Sequence, residues 1–298
     1  PNTPINMNAL SDAMRLIPYL NREQYGERPL LRGPHFEADP IDTEKEDRYG
    51  IVGDRYEVVD HKLTYIYRDE DKILLPRISH SDGSRPALYK RWMGDEKGTP
   101  TMAFNLEFLF RYQINWMYWR YFMWNFAGRQ NDQQGHGGIM KGNWISGIKA
   151  IDEMRLGPQS ELPDGMKNNK ARNAFYFLPL ILGIIGMIWH YRRDNHDAWT
   201  TMLLFFFTGM AIVLYLNQYP YQPRERDYAY AASFYAFSIW IGLGVAAIAE
   251  RLKKSKVPMP VGGTLATLVC LTAVPGLMAK EGWDDHNRSD RTFARDIA

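Results

Sequence analysis

The sequence predicts a mainly α-helical, polytopic membrane protein in which four transmembrane helices follow a mixed α/β segment. Three observations carry the prediction: four long uncharged stretches, an uneven partition of charge along the chain, and basic residues gathered in two short loops. The whole-chain averages conceal all three. With 298 residues, 23% charged, a net charge of +2 and a mean hydropathy of −0.40, the chain taken as one body reads as soluble and globular. A single cysteine, Cys270, excludes a disulfide scaffold, and 36 basic against 34 acidic residues leave no global field for nucleic acid.

Residues 1–172 hold 24 Lys/Arg and 24 Asp/Glu, whereas residues 173–298 hold only 12 and 10. Between those 22 charges lie the uncharged runs 173–189, 198–223, 228–249 and 257–279. A helix needs about 20 apolar residues to cross a hydrocarbon core of roughly 30 Å. A soluble helix of that length would show a polar face, and these show none. The predicted helices are about 173–191, 198–218, 228–249 and 257–279. None of the four uncharged runs contains Asp, Glu, Lys or Arg, which argues against an ion-coupled carrier. Arg192 and Arg193 join the first two helices, and Arg251, Lys253, Lys254 and Lys256 join the last two. Such basic short loops face the cytoplasm, which puts residues 1–172, the loop 218–227 and the C-terminal tail on the outer side. The chain starts at Pro1 in polar sequence without a signal peptide, so it reads as an excised part of something longer.

Residues 1–103 predict a short helix over 8–25, a loop over 26–47, and a small antiparallel meander from 55–59, 63–67 and 73–78 with turns at 60–62 and 68–72. The turn Asp69-Glu70-Asp71 matches a DxD metal pattern in form, but three acids in a turn read first as solvated surface. Residues 104–172 open with FNLEFLFRYQINWMYWRYFMWNF, in which 11 of 23 residues are aromatic. Rings with polar tips favour the lipid–water boundary, so an interfacial helix anchoring the outer segment is the first expectation. The sharper alternative is an aromatic platform for a sugar, with Trp116, Trp119 and Trp124 as its faces. The polar glycine-rich run 128–138 follows, where Arg129, Asn131, Asp132 and backbone N–H groups suit an anionic head group. It matches neither a P-loop nor a dinucleotide fingerprint.

The loop 217–228 carries two prolines and four charges beside two apolar runs. Arg224 and Arg226 can bind the phosphate of a lipid-linked donor through forked hydrogen bonds, with Glu225, Asp227 and Tyr228 in support. The competing reading is two salt bridges closing a tight turn. Seven scattered histidines and a lone cysteine form no zinc pattern, and no nucleophile elbow is present, which disfavours a hydrolase.

Four motifs carry a family resemblance: QPRERDYAYAASFYAFSIWIGLGV, WNFAGRQNDQQG, YLNREQYG and WDDHNRSDRTFARD. With them the chain resembles the middle portion of a bacterial family of large polytopic membrane proteins, formerly a domain of unknown function. That family is classed with the protein O-mannosyltransferase-like enzymes of the GT-C glycosyltransferase superfamily. The resemblance implies a GT-C-like fold in the bacterial inner membrane and a polyprenyl-phosphate sugar donor. It also implies an extracytoplasmic protein or glycan acceptor, and the rest of the same polypeptide as partner. It assigns the catalytic acid/base to a preceding block, leaving donor-phosphate and acceptor surface around Arg129, Arg224 and Arg226 to this chain, which alone would be inactive. No cofactor is predicted, and a divalent metal is left open. The alternative is a non-catalytic membrane scaffold or transporter-like component of the cell envelope.

Overall fold

A computed structural model describes residues 13–21, 23, 29–81, 83–222 and 226–283. The chain divides into two compact units, Pro1–Leu109 and Phe110–Ala298.

In the first unit, helix α1 (Ala13–Leu20) leaves Met14, Ile17 and Leu20 exposed. Strand β1 (Arg32–Pro34) pairs antiparallel with β4 (Lys72–Leu74), and between them runs a long hairpin of β2 (Asp42–Val52) and β3 (Arg55–Ile66). Gly53 turns the hairpin at φ 69°, a left-handed conformation that glycine adopts without a Cβ penalty. This corrects the expected meander. Residues 55–59 and 63–66 belong to one strand, 60–62 lie inside it, and only Ile73 and Leu74 of the third stretch pair, with β1, joined by Lys72 from the expected turn. The partner strand comes from residues 42–52, most of which read as loop in the sequence because six of the first seven are charged. Those charges pair across the hairpin instead. Asp47 lies 2.9 Å from His61 and Arg48 lies 3.7 Å from Asp60. Both hairpin faces are largely exposed, so apolar alternation is a weak signal here.

Asp69–Asp71 forms a single 3₁₀ turn held by cations. A hydrogen bond from Lys72 at 2.9 Å, with Arg32 at 3.8 Å, keeps the Asp69 carboxyl below the usual carboxylate range. Asp71 lies 3.7 Å from His35. The described residues contain no cluster of three or more His, Cys, Asp or Glu placed to hold a metal.

Helices α2 (Arg85–Met93) and α3 (Met102–Phe108) close this unit's core. Phe36, Ile78, Tyr89 and Phe108 are buried in it, with the Tyr89 and Phe108 rings edge-to-face at 5.0 Å. Asn105 sits in this core with no exposed surface. Its Oδ1 accepts from the Arg77 and Ile78 amides at 2.7 and 3.2 Å, and its Nδ2 donates to the Leu75 carbonyl at 2.9 Å. One carboxamide thereby completes the backbone pairing of a buried irregular segment, which would otherwise leave polar groups unpaired.

The second unit is helical, and its aromatic stretch is its core. A π-helical run (Leu109–Trp119, beginning one residue before the unit boundary) leads into α4 (Arg120–Phe126). Phe122, Met123 and Phe126 pack with Phe237 and Trp240, while Tyr118 and Tyr121 pack with Val213 and Tyr230. An interfacial anchor would leave these rings on the protein surface. They are buried instead, because the helices α7 (Leu178–Arg193), α8 (Asn195–Phe207), α9 (Met210–Leu216) and α10 (Ala231–Lys254) provide apolar faces around them.

Among the described residues, three helical stretches are long and apolar enough to cross a membrane: Asn195–Leu216, Asp227–Lys254 and Met259–Gly282. The last combines α11 (Met259–Leu271), a π turn around Pro275 and α12 (Leu277–Gly282). Large apolar side chains such as Trp199, Phe207, Tyr235, Leu265 and Leu268 point outward from these stretches. Water would penalise so continuous an apolar surface, whereas lipid accommodates it. The predicted first span is shorter than expected. Phe177 adopts a left-handed conformation before α7, and Asp194 ends it after 16 residues.

Helices α7 and α10 run in the same direction and meet backbone to backbone. A Cβ on Gly186 would overlap the Trp240 carbonyl oxygen, and one on Gly244 would overlap the Leu182 carbonyl oxygen. Small residues permit such approach, as they do between membrane helices. At one end of this pair Trp189 donates to Glu250 at 2.7 Å, and Lys254 lies 3.0 Å from the same carboxylate.

Two outcomes follow from these contacts. Asn105→Ala should destabilise the first unit by about 2 kcal/mol, since buried amides lose their acceptor, and hydrogen exchange at Arg77 and Ile78 should accelerate. Unchanged exchange would show that the carboxamide is not the anchor. Gly186→Val should lower the melting midpoint of the detergent-solubilised chain sharply. Gly242→Ala, whose added Cβ meets nothing within 4 Å, should leave it nearly unchanged.

Candidate functional site

The site lies at the end of α7 and α10 opposite their basic residues, where the glycine-rich loop meets the loop after α9. The first of these loops is built on strand β5 (Gly128–Arg129), which pairs with β6 (Asn173–Ala174) just before α7. Arg129 also bridges to Trp144. Gly128 has φ 140°, and a Cβ there would overlap the Asn173 carbonyl oxygen, so the close pairing demands glycine.

Two fully buried carboxamides then fold residues 130–143 back on themselves. Gln130 accepts from Asn143 Nδ2 at 3.0 Å and donates to the Ile139 carbonyl at 3.0 Å. Asn131 accepts from the Gly142 amide at 2.9 Å and donates to the Met140 carbonyl at 3.0 Å. Asn131, expected to help hold a ligand, is thus a brace of the loop. Asp132 is exposed and accepts from Asn169 at 2.9 Å.

Arg120 lies beneath the loop, only 2% exposed. It donates to the Trp116 carbonyl at 2.9 Å and to the Gly142 carbonyl at 2.8 Å. Its guanidinium stands 4.1, 4.3 and 4.8 Å from the rings of Trp116, Tyr121 and Trp124. Aromatic faces stabilise a desolvated guanidinium through the ring quadrupole. Sequence reasoning had not assigned this residue to the site. The available signal was an arginine with tryptophans four residues before and after it, which share its helix face.

The expected aromatic platform is divided by this arrangement. Trp116 and Trp124 line the cage around Arg120, while Trp119 is 42% exposed and stacks on Phe122 at 5.3 Å. Arg129 shares the cage wall, its guanidinium 5.6 Å from the Trp124 ring, and donates to the Ala171 carbonyl at 2.9 Å.

The second loop begins at Asn217, which is buried, left-handed at φ 43° and accepts from Gln113 at 2.8 Å. Tyr112 donates to the Tyr219 carbonyl at 3.1 Å. The two loops then touch. The His136 and Tyr221 rings are 4.7 Å apart, and Gln134 donates to the Gln222 carbonyl at 3.1 Å. Tyr221 holds φ 58°, an unfavourable conformation for a side-chain-bearing residue, at this junction. Arg226, Asp227 and Tyr228 follow as exposed residues leading into α10. Arg224 and Glu225 lie outside the described residues.

Two further arginines flank the loop. Asp152, on α5 (Lys149–Leu156), is buried and accepts from Ser146 N at 2.7 Å, Ser146 Oγ at 2.9 Å and Gly147 N at 2.8 Å. Arg155 stacks 3.4 Å over Trp144 and donates to its carbonyl at 3.1 Å. Burial pulls the Arg155 and Arg172 guanidiniums below their ordinary pKa, and the Asp152 charge opposes that shift in both.

With this geometry in view, similarity can be placed on the fold. Residues 26–110 match a family of unknown function, DUF8416. The match begins within the first unit and ends one residue beyond it. No curated protein and no solved structure matches the chain.

Arg120→Met should free the loop by removing both carbonyl tethers, a loss of about 2–3 kcal/mol. Protease cleavage within residues 130–143 of the detergent-solubilised chain should accelerate at least tenfold. Equal cleavage rates would show that Arg120 does not hold the loop.

Proposed function

We propose that the chain is part of an integral membrane glycosyltransferase of the GT-C type, transferring a sugar from a polyprenyl-phosphate donor to an extracytoplasmic acceptor. In this reading it supplies donor-phosphate and acceptor surface, and the catalytic acid/base lies in another part of the polypeptide. The observation that carries the reading is the junction of the two loops, with His136 against Tyr221, at the end of the helices away from their basic cluster. His136 and Tyr221, 85 residues apart, belong to motifs each singled out for anion binding, and these converge on one end of the helical unit. Arg129 from one loop and Arg226 from the other suit a phosphate, since guanidinium forks match phosphate oxygens, and the sequence adds Arg224, outside the described residues.

Helix α7 completes a four-helix membrane block in this reading. Its 16 residues reach about 24 Å, short of the hydrocarbon thickness, and the flanking residues 173–177 supply the remainder at the outer interface. The basic residues at the other end, Arg192, Arg193, Arg251, Lys253, Lys254 and Lys256, orient that end to the cytoplasm of a bacterial inner membrane.

A membrane scaffold is the second reading, favoured by one observation. Gln130, Asn131 and Asp152, three buried polar side chains near the junction, are all committed to hydrogen bonds within the chain. Reversing Arg226 and Arg224 together to glutamate in the full-length protein separates the readings. Donor binding and sugar transfer should fall at least tenfold. Unchanged binding and transfer would remove the glycosyltransferase reading and leave the scaffold.

A further inference from the structure

The charge of Asp152 acts on both Arg155 and Arg172 without bonding to either among the described residues. Its carboxylate oxygens are engaged by Ser146 and Gly147, and no ion pair within 4.0 Å joins it to Arg155 or Arg172 among the described residues. Arg172 is half-buried, and its Nη1 is fully shielded and without a hydrogen-bond partner among the described residues. A shielded guanidinium nitrogen left unpaired is costly, and a group that pairs it recovers that loss. Arg155 is fixed over the Trp144 ring with one nitrogen on a carbonyl, so its remaining donors are held in a set orientation. The backbone places the two around one strand residue: Trp144 and Asn173 both pair with Arg129. Arg155 sits on the first and Arg172 immediately precedes the second. Two cations thus share the field of one buried carboxylate, whose oxygens already accept three hydrogen bonds from Ser146 and Gly147.

We propose that Arg155 and Arg172 form a seat for a phosphate group, with Asp152 orienting them and not neutralising them. Two forked guanidiniums match a tetrahedral dianion, which accepts from both. For the ligand's class the proposal rests on the donor-phosphate reading. It adds two residues that the sequence does not single out, from α5 and from the approach to β6. A lipid-linked phosphate, a bulk phospholipid head group and free phosphate share this chemistry.

The test measures binding of three probes to the full chain: inorganic phosphate and a polyprenyl phosphate in detergent, and nanodiscs containing phosphatidylglycerol. Arg155→Gln, Arg172→Gln and, as a control at the opposite end, Arg192→Gln are compared with the wild type. At least one probe should bind. Arg155→Gln and Arg172→Gln should each weaken it by about tenfold or more, while Arg192→Gln leaves it unchanged. Arg172→Lys keeps the charge without the fork and should fall between, with circular dichroism confirming a folded chain. Whichever probe shows the dependence identifies the source of the phosphate. Binding of every probe that is absent, or unaffected in both glutamine variants, overturns the seat. If polyprenyl phosphate binding falls on reversing Arg226 and Arg224 but not in these variants, the seat fails and the donor reading stands. If only inorganic phosphate binds and depends on Arg172, the seat stands and the donor reading fails.

Discussion

Polar groups carried into apolar surroundings must find partners within the chain, and much of this structure follows from that constraint. Backbone amides and carbonyls in irregular segments cannot remain bare beside apolar helices. The chain meets the requirement with carboxamides. Asn105 pairs three backbone groups in the first unit, Gln130 and Asn131 pair the turns of the glycine-rich loop, and Asn217 receives Gln113 where α9 ends. A carboxamide offers both donors and acceptors without charge, so it substitutes for missing backbone partners at a smaller desolvation cost than an acid or a cation.

Arg120 meets the same constraint with a charge. Its guanidinium is desolvated, but two carbonyls and three aromatic faces replace the lost water. This links the helix core to the loop above it, because the same side chain touches Trp116 on one side and Gly142 on the other. The rings that surround it therefore serve the interior of the protein. Close packing of α7 on α10 through Gly186 and Gly244 leaves the flanking aromatic helix to fill the space beside them, which Phe122, Met123 and Phe126 do against Phe237 and Trp240.

The apolar runs were legible because a continuous absence of charge over a membrane-length segment has few physical alternatives. The hairpin was less so. Its strands alternate charge with apolar residues on a ribbon exposed on both faces, so residues 42–52 resemble a polar loop until their cross-strand partners are known. The loop junction was legible in its parts, since both segments were picked out by glycine, proline and charge. That Tyr221 meets His136 was not, because the contact depends on how helices between them pack. Arg155 and Arg172 carried no local signal at all: each is an ordinary arginine until Asp152 and Trp144 are brought beside it.

By itself the sequence determined the partition of the chain, with charge in the first part and membrane-length apolar helices in the last, because hydropathy acts locally along the backbone. It also marked the segments able to turn sharply, through their glycines and prolines. Only the tertiary structure decided which partners each polar side chain finds. Asn131 and Arg129 stand two residues apart in one motif, yet one is sealed into the loop and the other leans on Trp124. Hydrogen-bond satisfaction is a property of neighbours in space, and those neighbours come from distant parts of the chain.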